Sequence, residues 1–216
     1  MAAAYGKRTY WDERYSREGP SASFDWYARF AHFKPLLQSY LKKSDYVLVL
    51  GCGSSRMAEE LYNSEFTSVA NVDFSSVVIR QMAERHAEKA TLTWKVMDVT
   101  EKLDFPNGHF DVCIDKACLD CVLCADSSTN AVANALYNVL RTLKPQGTFL
   151  LVSHWGPEKW LGYLEVDAYN WKISVHAVTR PVLGVTQGEE RGDAGAVHPS
   201  AVHYLYVCEK QGDLLR

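Results

Sequence analysis

A short motif at residues 47–57, VLVLGCGSSRM, places two glycines directly after a run of four apolar residues. The apolar run is typical of a buried strand, and Gly51 and Gly53 let a backbone approach a ligand closely. The serines that follow favour the start of a helix, whose first N–H groups would point to the same place. The motif therefore predicts a ligand-binding turn at the carboxyl end of a strand.

Two aspartates at the ends of later predicted strands indicate what the ligand is. Asp73 closes the second strand, where a carboxylate can accept hydrogen bonds from both hydroxyls of a ribose. Asp98 closes the third strand in the same register, which suits an adenine amino group. Each aspartate alone is explained by a strand-end cap. Together with the glycines, the three strand ends favour a nucleoside pocket.

The elements that must position these residues alternate regularly along the chain. Five strand-like segments between residues 47 and 153 are separated by helix-like segments on short links, which predicts a mostly parallel sheet. Two further runs, WKISVHAVTR and AVHYLYVCEK, have no helix between them and predict an antiparallel pair joined by a long loop around residues 182–200. We predict an α/β, Rossmann-like domain with a seven-stranded sheet, an antiparallel C-terminal strand and helices on both faces.

The missing third glycine separates two kinds of nucleoside site. A dinucleotide fingerprint requires glycine three positions after Gly53, and Arg56 stands there. That substitution and the antiparallel end of the sheet favour a methyl-donor site, for S-adenosylmethionine, over a hydride cofactor. A nicotinamide-dependent oxidoreductase therefore ranks last among the functions considered.

The N-terminal part is rich in aromatic residues. Residues 26–43, WYARFAHFKPLLQSYLKK, predict an amphipathic helix that is kinked or starts late because of Pro35, whereas residues 1–25 show no clean periodicity. Trp11, Tyr15, Trp26 and Tyr27 are explained as core residues of an N-terminal flap. They would also attract a sulfonium cation, by about 0.5–2 kcal/mol for each contact.

Composition excludes several classes of function. The chain has 216 residues, 47% of them apolar, and a net charge of −3 without a long basic run. These values predict one domain and give no electrostatic reason to expect nucleic acid or an anionic membrane as partner. The charged N-terminus does not resemble a signal peptide, and no apolar run is long enough to span a bilayer. We expect a cytoplasmic protein, and no pattern predicts its oligomeric state.

Two other groups of residues suggest chemistry. Cys118, Cys121 and Cys124 have a spacing seen in iron–sulfur ligation, but a fourth ligand is missing, so small apolar residues on a helical turn are the favoured interpretation and no metal is predicted. His154 follows the fifth strand and is a candidate base, although a structural histidine is favoured. Five aromatic residues follow it: Trp155, Trp160, Tyr163, Tyr169 and Trp171. They are equally consistent with a packed lid and with a channel for the acceptor side chain.

The segments LVLGCGSS, NVDFSSVVI, MDV, LDFPNGHFDVCIDKACLD and VLRTLKPQGTFLLVS resemble the class I S-adenosylmethionine-dependent methyltransferases. YWDERY and FDWYARF are similar to the branch that contains the elongation factor 1-alpha lysine methyltransferases, including the segment fused to an endothelin-converting enzyme. The resemblance covers roughly residues 10–175. It implies a flap and helix at residues 1–45, a donor-binding core at 46–153 and an acceptor-side loop with the terminal strands at 154–216.

The resemblance also implies roles for single residues. Relatives commonly have Lys-Gly-Thr-Leu-Asp where this chain has Lys116-Ala117-Cys118-Leu119-Asp120. The loss of glycine is expected to leave less space for the backbone to approach the donor. The residues implied in binding S-adenosylmethionine, with S-adenosylhomocysteine as product, are Trp11, Tyr15, Trp26, Gly51, Gly53, Asp73, Phe74, Asp98, Val99 and Lys116. The residues implied near the reaction centre are Asp115, Lys116 and Asp120.

The function predicted from the sequence is methyl transfer to a lysine amine of a protein such as elongation factor 1-alpha. The amine must first lose a proton, and Asp115, Asp120 and the aromatic loop are the candidates that would position it. Two alternatives remain open at this point: a small-molecule N-methyltransferase with the same donor site, and a catalytically weak module that binds the donor.

Overall fold

The computed structural model describes residues 4–125, 128–179 and 202–212. Within them the backbone forms seven strands: β1 (Val47–Leu50), β2 (Val69–Asp73), β3 (Leu92–Val96), β4 (Phe110–Lys116), β5 (Leu143–Ser153), β6 (Trp171–Thr179) and β7 (Val202–Lys210). All seven belong to one sheet, in the order β3-β2-β1-β4-β5-β7-β6. The loop predicted around residues 182–200 lies outside the described residues.

The pairing of the strands confirms the predicted fold class. Strands β1 to β5 pair in parallel, and β7 pairs antiparallel with both β5 and β6. The carboxyl ends of β1, β2, β3 and β4 therefore meet at one edge of the sheet. Strand order reverses between β1 and β4, and ligands of open α/β sheets bind beside such a reversal.

Seven helices lie among the described residues: α1 (Arg8–Glu18), α2 (Phe30–Leu37), α3 (Met57–Asn63), α4 (Ser76–Arg85), α5 (Cys118–Val122), α6 (Ser128–Thr142) and α7 (Pro157–Leu164). A 3-10 turn, Asp167–Tyr169, precedes β6. Helix α1 was not predicted from the sequence. None of the helices in the described segments is both long and apolar enough to cross a membrane.

The second helix is shorter than the predicted span of residues 26–43. Tyr27 has a positive φ of 67°, so the backbone cannot be helical there. Arg29 is extended and α2 begins at Phe30. Pro35 lies inside the helix, which ends two residues later. The positive φ of Tyr27 explains the late start, and no residue type in the sequence announces it.

The core lies on both faces of the sheet, which explains why β1 is apolar throughout. Val47 and Val49 pack in one cluster with α2 and α3, while Leu48 and Leu50 pack in a second cluster with α6. All four side chains are buried. Complete burial of such a side chain contributes about 1.5–3 kcal/mol to stability. The strand that carries the glycine turn is therefore held rigidly from both sides.

A third, smaller cluster attaches the N-terminal segment. Trp11 and Tyr15 of α1 pack on Val78 and Met82 of α4. Helix α4 itself begins at a serine cap, where the Ser75 hydroxyl accepts a hydrogen bond from the Val78 N–H at 3.4 Å. The aromatic segment is thus docked against the helix that follows β2.

Candidate active site

A cavity of about 250 Å³ opens at the carboxyl ends of β1, β2 and β4. The residues predicted for donor binding line it together: Trp11, Tyr15, Trp26, Gly51, Gly53, Asp73, Phe74, Asp98, Val99 and Lys116. Asp115 and Asp120 lie outside this lining. The lining also includes residues that were not singled out in the sequence, among them Tyr5, Arg14 and Phe24, and the two serines of the motif, Ser54 and Ser55.

The glycine turn is in close contact with neighbouring side chains of the protein. Gly51 and Gly53 have φ values of 53° and 50°, which are favourable for glycine alone. A Cβ atom on Gly51 would lie 2.5 Å from the Sγ atom of Cys118, and one on Gly53 would lie 2.9 Å from the Tyr15 hydroxyl. The glycines therefore admit α5 and α1 close to the turn, a reason that the sequence did not reveal.

Asp73 forms the floor of the cavity at the end of β2. Its carboxylate accepts hydrogen bonds from the Gly53 N–H at 3.0 Å and the Ser75 N–H at 2.9 Å. Burial raises the pKa of Asp73 to about 6, and the two N–H donors oppose that rise. At neutral pH the side chain is therefore mostly a carboxylate, a hydrogen-bond acceptor suited to hydroxyl groups.

The next strand end presents a second acceptor. Asp98 uses its Oδ1 atom for Thr100, accepting from the N–H at 3.0 Å and the hydroxyl at 2.7 Å. Phe74 and Val99 add apolar walls on either side of the two acids. Ser54 adds a polar one, since its buried hydroxyl has no hydrogen-bond partner among the described residues. The mixture of apolar walls and inward polar groups fits a nucleoside that carries a polar tail.

A buried ion pair fastens residues 25–26 over the glycine turn. The Lys116 Nζ atom lies 3.1 Å from Asp25 Oδ1 and donates to the Trp26 carbonyl at 3.0 Å. Asp25 also accepts from the Ser55 hydroxyl and from the Arg56 N–H. Burial lowers the pKa of Lys116, and Asp25 opposes that effect. Lys116 is thus a cation that positions the flap, and Asp25 is a site residue that sequence reasoning missed.

Aromatic rings close the cavity on the flap side. Trp11 and Tyr15 stack with ring centroids 5.6 Å apart, and Trp26 meets Trp11 edge-on at 6.4 Å. The Trp11 indole donates to the Tyr5 carbonyl at 2.7 Å, which draws residue 5 into the same wall. The predicted flap therefore serves both as packed core and as cavity wall.

Asp115 has a different environment from the one expected near a reaction centre. Its side chain is fully buried and accepts from the N–H groups of Cys118 and Leu119 at 3.1 and 3.0 Å. Burial, reinforced by the charge of Asp120, raises the pKa of Asp115. Ala117, between β4 and α5, has a φ of 73° and a ψ of −4°. Asp115 thus caps the start of α5 beside a strained turn.

Asp120, in the first turn of α5, is the centre of a hydrogen-bonded group that we name the Asp120 cluster: Tyr27, Asp120, Ser153 and His154. The Ser153 hydroxyl donates to both carboxylate oxygens, at 2.7 and 2.9 Å. The His154 Nδ1 atom lies 3.0 Å from Oδ2, and the Tyr27 hydroxyl donates to the same oxygen. The cluster brings together three segments that are far apart in the sequence.

The aromatic loop after β5 divides into packed and exposed members. Trp160 is fully buried and its indole donates to the Ser153 hydroxyl at 2.7 Å, while the Trp171 indole donates to the Leu164 carbonyl at 2.8 Å. Trp155 is 42% exposed and its ring lies 4.6 Å from that of His154. Most of the loop therefore packs as a lid, and Trp155 presents an aromatic surface beside the Asp120 cluster.

The cysteine run supplies thiols to the cavity wall. Cys118 and Cys121 line the cavity, and burial raises the pKa of both thiols. All six cysteines of the chain are free. Within residues 4–125, 128–179 and 202–212, no group of three potential ligands is arranged to hold a metal ion. The cysteines act here as small apolar side chains next to the glycine turn.

Comparison with known proteins places these features in context. The family model for a methyltransferase domain matches residues 47–147. The chain is 36% identical over 177 residues to EEF1A lysine methyltransferase 4 of Mus musculus, a match that covers 78% of this chain and 69% of that protein. It is 32% identical over 193 residues to the eEF1A lysine and N-terminal methyltransferase of Mus musculus, covering 87% of this chain and 27% of that longer protein.

A solved structure has the same architecture. A SAM-dependent methyltransferase from Methanosarcina mazei superposes with a TM-score of 0.60 at 20% identity, over 88% of this chain and 100% of that one. At this identity the likeness concerns the fold alone. The overall fold is therefore shared with a protein of very different sequence.

Proposed function

Because the chain belongs to the methyltransferase family that includes the eEF1A lysine methyltransferases, we propose that it transfers a methyl group from S-adenosylmethionine to a lysine side chain of elongation factor 1-alpha. The observation that carries the proposal is the cavity in which the glycine turn, Asp73 and Asp98 meet. The identity of 36% to a protein named for this activity supports the choice of acceptor. Since that acceptor acts in translation, we place the enzyme in the cytoplasm.

Each part of the donor has a matching group in the cavity. Asp73 would accept hydrogen bonds from the ribose hydroxyls, and Asp98 from the adenine amino group, between the apolar walls of Phe74 and Val99. The glycine turn and the unpartnered Ser54 hydroxyl would hold the methionine part. When bound, S-adenosylmethionine supplies a methyl group already activated by a sulfonium.

The flap would protect and orient the reaction. Trp11, Tyr15 and Trp26 present aromatic faces that attract a cation and exclude water. Lys116 holds this wall in place through Asp25 and the Trp26 carbonyl. Because the donor is already activated, these residues contribute mainly alignment and desolvation, which can supply a large part of a rate enhancement. Lys116 would therefore act as a positioning residue, and Asp115 would act through the placement of α5.

The proposal is tested by incubating the purified protein with tritiated S-adenosylmethionine and purified eukaryotic elongation factor 1-alpha, followed by mass spectrometry of the acceptor. We expect saturable donor binding by calorimetry and label on a lysine. Asp73→Ala should weaken donor binding about 100-fold or more, because a buried, charged hydrogen-bond acceptor is lost. Asp104→Ala, an exposed acid outside the cavity, is the matched control.

Donor binding without any transfer to elongation factor 1-alpha would reject the acceptor and leave the donor site standing. A folded wild-type protein that binds neither S-adenosylmethionine nor its demethylated product would reject the whole proposal. In that case the glycine turn serves only to pack α1 and α5 against the sheet.

A further inference from the structure

His154 occupies the carboxyl end of β5 with one ring nitrogen engaged and the other available. Its Nδ1 atom faces the Asp120 carboxylate at 3.0 Å, an arrangement in which Nδ1 carries the proton. The other nitrogen, Nε2, has no hydrogen-bond partner among the described residues. The side chain is 39% exposed, whereas that of Asp120 is 4% exposed. The ring is thus fixed from the inside and open on the outside.

The partners of Asp120 are themselves held in place. Ser153 donates to Asp120 and accepts hydrogen bonds from the Trp160 indole at 2.7 Å and from the Trp155 N–H at 3.0 Å. The His154 N–H adds another donor to Asp120, at 3.3 Å. A carboxylate with this many donors has little freedom to turn. The orientation of the imidazole follows from that of Asp120.

Tyr27 joins the cluster through an unfavourable backbone conformation. Its φ of 67° lies in the left-handed region, which costs a residue other than glycine about 1–2 kcal/mol. This conformation directs the hydroxyl to Asp120 and within 2.9 Å of His154 Nδ1. Backbone strain of this kind, which brings a side chain into contact with Asp120 and His154, is typical of functional sites.

The cluster borders the cavity without being part of its lining. Trp26, the neighbour of Tyr27, lines the cavity and accepts from Lys116 at 3.0 Å. Cys121, the neighbour of Asp120, lines it as well. On the solvent side the exposed Trp155 ring lies against His154. His154 thus contacts the exposed Trp155 ring and, through Tyr27 and Asp120, is connected to the chain neighbours of two cavity-lining residues.

We propose that His154 is the base that removes the proton of the acceptor lysine, and that Asp120 and Tyr27 are positioning residues for it. The inference rests on the proposed lysine methylation and names the proton acceptor of that same site. The sequence favoured a structural histidine here. The structure gives His154 a structural contact on Nδ1 and leaves Nε2 for chemistry.

The step balances in atoms and charge. The lysine ammonium gives one proton to Nε2, which makes a neutral amine and an imidazolium stabilised by the Asp120 carboxylate. The amine nitrogen then forms a bond to the methyl carbon while the carbon–sulfur bond breaks and its electron pair stays on sulfur. The imidazolium afterwards releases its proton to solvent, because the ring is exposed.

The first test measures methyl transfer to elongation factor 1-alpha by His154→Asn, which cannot accept a proton, at several pH values. We expect kcat at pH 7.5 to fall about 100-fold, the lower part of the usual range for general bases, with unchanged affinity for S-adenosylmethionine. The deficit should shrink towards pH 10, because an ordinary lysine amine loses its own proton near pH 10.4. His109→Asn, at the opposite edge of the sheet, is the control.

Other titratable groups near His154 limit how the pH profile is interpreted. Asp120 and Tyr27 face it directly. Beyond them, the His203 ring of β7 lies 4.7 Å from that of Tyr27, and Tyr204 pairs with Ser153 across the sheet. The profile is therefore compared between the wild type and His154→Asn, so that contributions from these groups are common to both.

A second variant separates chemistry from folding. His154→Ala should regain part of its activity when imidazole is added, because the exposed site admits a free base. Tyr27→Phe should lower kcat about tenfold, as expected for the loss of one hydrogen bond to a charged group. Proton NMR gives a readout independent of turnover: a low-field Nδ1–H signal in the wild type that is lost in Asp120→Asn.

The outcomes distinguish this inference from the function on which it rests. Absence of transfer by the wild type overturns the proposed function and the inference with it. Transfer by the wild type, together with an unchanged rate and pH profile in His154→Asn, overturns the inference alone. Loss of activity that imidazole does not restore and that persists undiminished at pH 10 assigns His154 a structural role and also overturns it.

Discussion

The cavity and the Asp120 cluster lie at the same edge of the sheet but are assembled differently. The cavity is built from strand ends, each with its acid or glycine next to it in the chain, and main-chain N–H groups of the same turns orient its buried carboxylate, Asp73. The Asp120 cluster is built from side chains that are 93 and 127 residues distant from Tyr27 in the sequence. Local geometry forms the floor of the first site, and long-range packing forms the second.

This difference separates two kinds of constraint. A site made of turns and strand ends needs specific backbone conformations, so small changes of Cβ or charge there should affect both folding and donor binding. A site made of distant side chains needs the surrounding core to be intact, and its single members should affect the rate more than the fold. Substitutions on the cavity side test this difference between the two sites.

Removing the cation of the buried ion pair should have the largest effect. Lys116→Met leaves Asp25 as an uncompensated charge, and breaking such a pair costs about 3–5 kcal/mol of the free energy of unfolding. Donor affinity should fall with it, because the flap loses its attachment. Urea denaturation and calorimetry measure the two quantities.

The matched control is the ion pair between Lys144 and Asp111, whose side chains are 44% and 30% exposed. Lys144→Met should cost less than about 1 kcal/mol, as is usual for solvent-exposed pairs. An equal loss of unfolding free energy in the two variants would show that burial does not set the strength of the Lys116–Asp25 pair. The flap would then depend on its ion pair no more than an exposed surface does.

Adding a single methyl group to the glycine turn should have the next largest effect. Gly51→Ala puts a Cβ 2.5 Å from the Cys118 Sγ atom at a φ of 53°, and overpacking of this kind costs about 1–3 kcal/mol. The expected readouts are a lower denaturation midpoint and weaker donor binding. Gly162→Ala, in α7 with open space around it, should be neutral or stabilising. A wild-type-like Gly51→Ala protein would show that α5 moves away freely.

The sequence predicted the sheet, the glycine turn and the two strand-end acids because each is announced locally, whereas the flap aromatics and Lys116 were implied by the resemblance to a known family. An apolar run, a glycine pair and an acid at a strand end are adjacent in the chain, so the topology alone brings Gly51, Asp73 and Asp98 together. It did not predict Asp25 as the partner of Lys116, or α1. Both depend on how the flap packs against α4 and the turn, a tertiary effect without a periodic signal.

Residues near the proposed reaction centre were harder to assign for the same reason. Asp115 and Asp120 are five residues apart and both were candidates, yet one caps α5 and the other binds Tyr27, Ser153 and His154. Asp115 lies near the end of β4 and Asp120 lies in α5, and the left-handed turn at Ala117 separates them. The resemblance to relatives did not supply that information.

The ionisation of Asp73 predicts opposite pH dependences for binding and stability. Its folded-state pKa of about 6 lies above the ordinary value of 3.8, so this group lowers the free energy of unfolding as pH rises from about 4 to 6. Donor binding should instead strengthen over the same range, because in the proposed function the ionised carboxylate would accept hydrogen bonds from both ribose hydroxyls. At pH 5 we expect affinity about tenfold lower than at pH 7.5.

Calorimetry between pH 5 and 8 tests this expectation, with Asp73→Asn as the control. The amide does not ionise, so the variant should bind weakly and with little change over this range. A wild-type affinity that is constant from pH 5 to 8 would show that Asp73 does not bind the donor as a carboxylate.

The smallest expected effect concerns the turn that joins the two sites. Ala117 has the left-handed conformation that favours glycine, so Ala117→Gly should stabilise the protein by about 1 kcal/mol by relieving strain, partly offset by the flexibility that glycine gives the unfolded chain. Ala135→Gly, at a buried helical position in α6, should destabilise it by a similar or larger amount. If Ala117→Gly is instead destabilising, the turn is favoured by its contacts in spite of its φ. Packing around residue 117 would then hold the Asp120 cluster in position. In that case Ala117→Gly should also lower kcat.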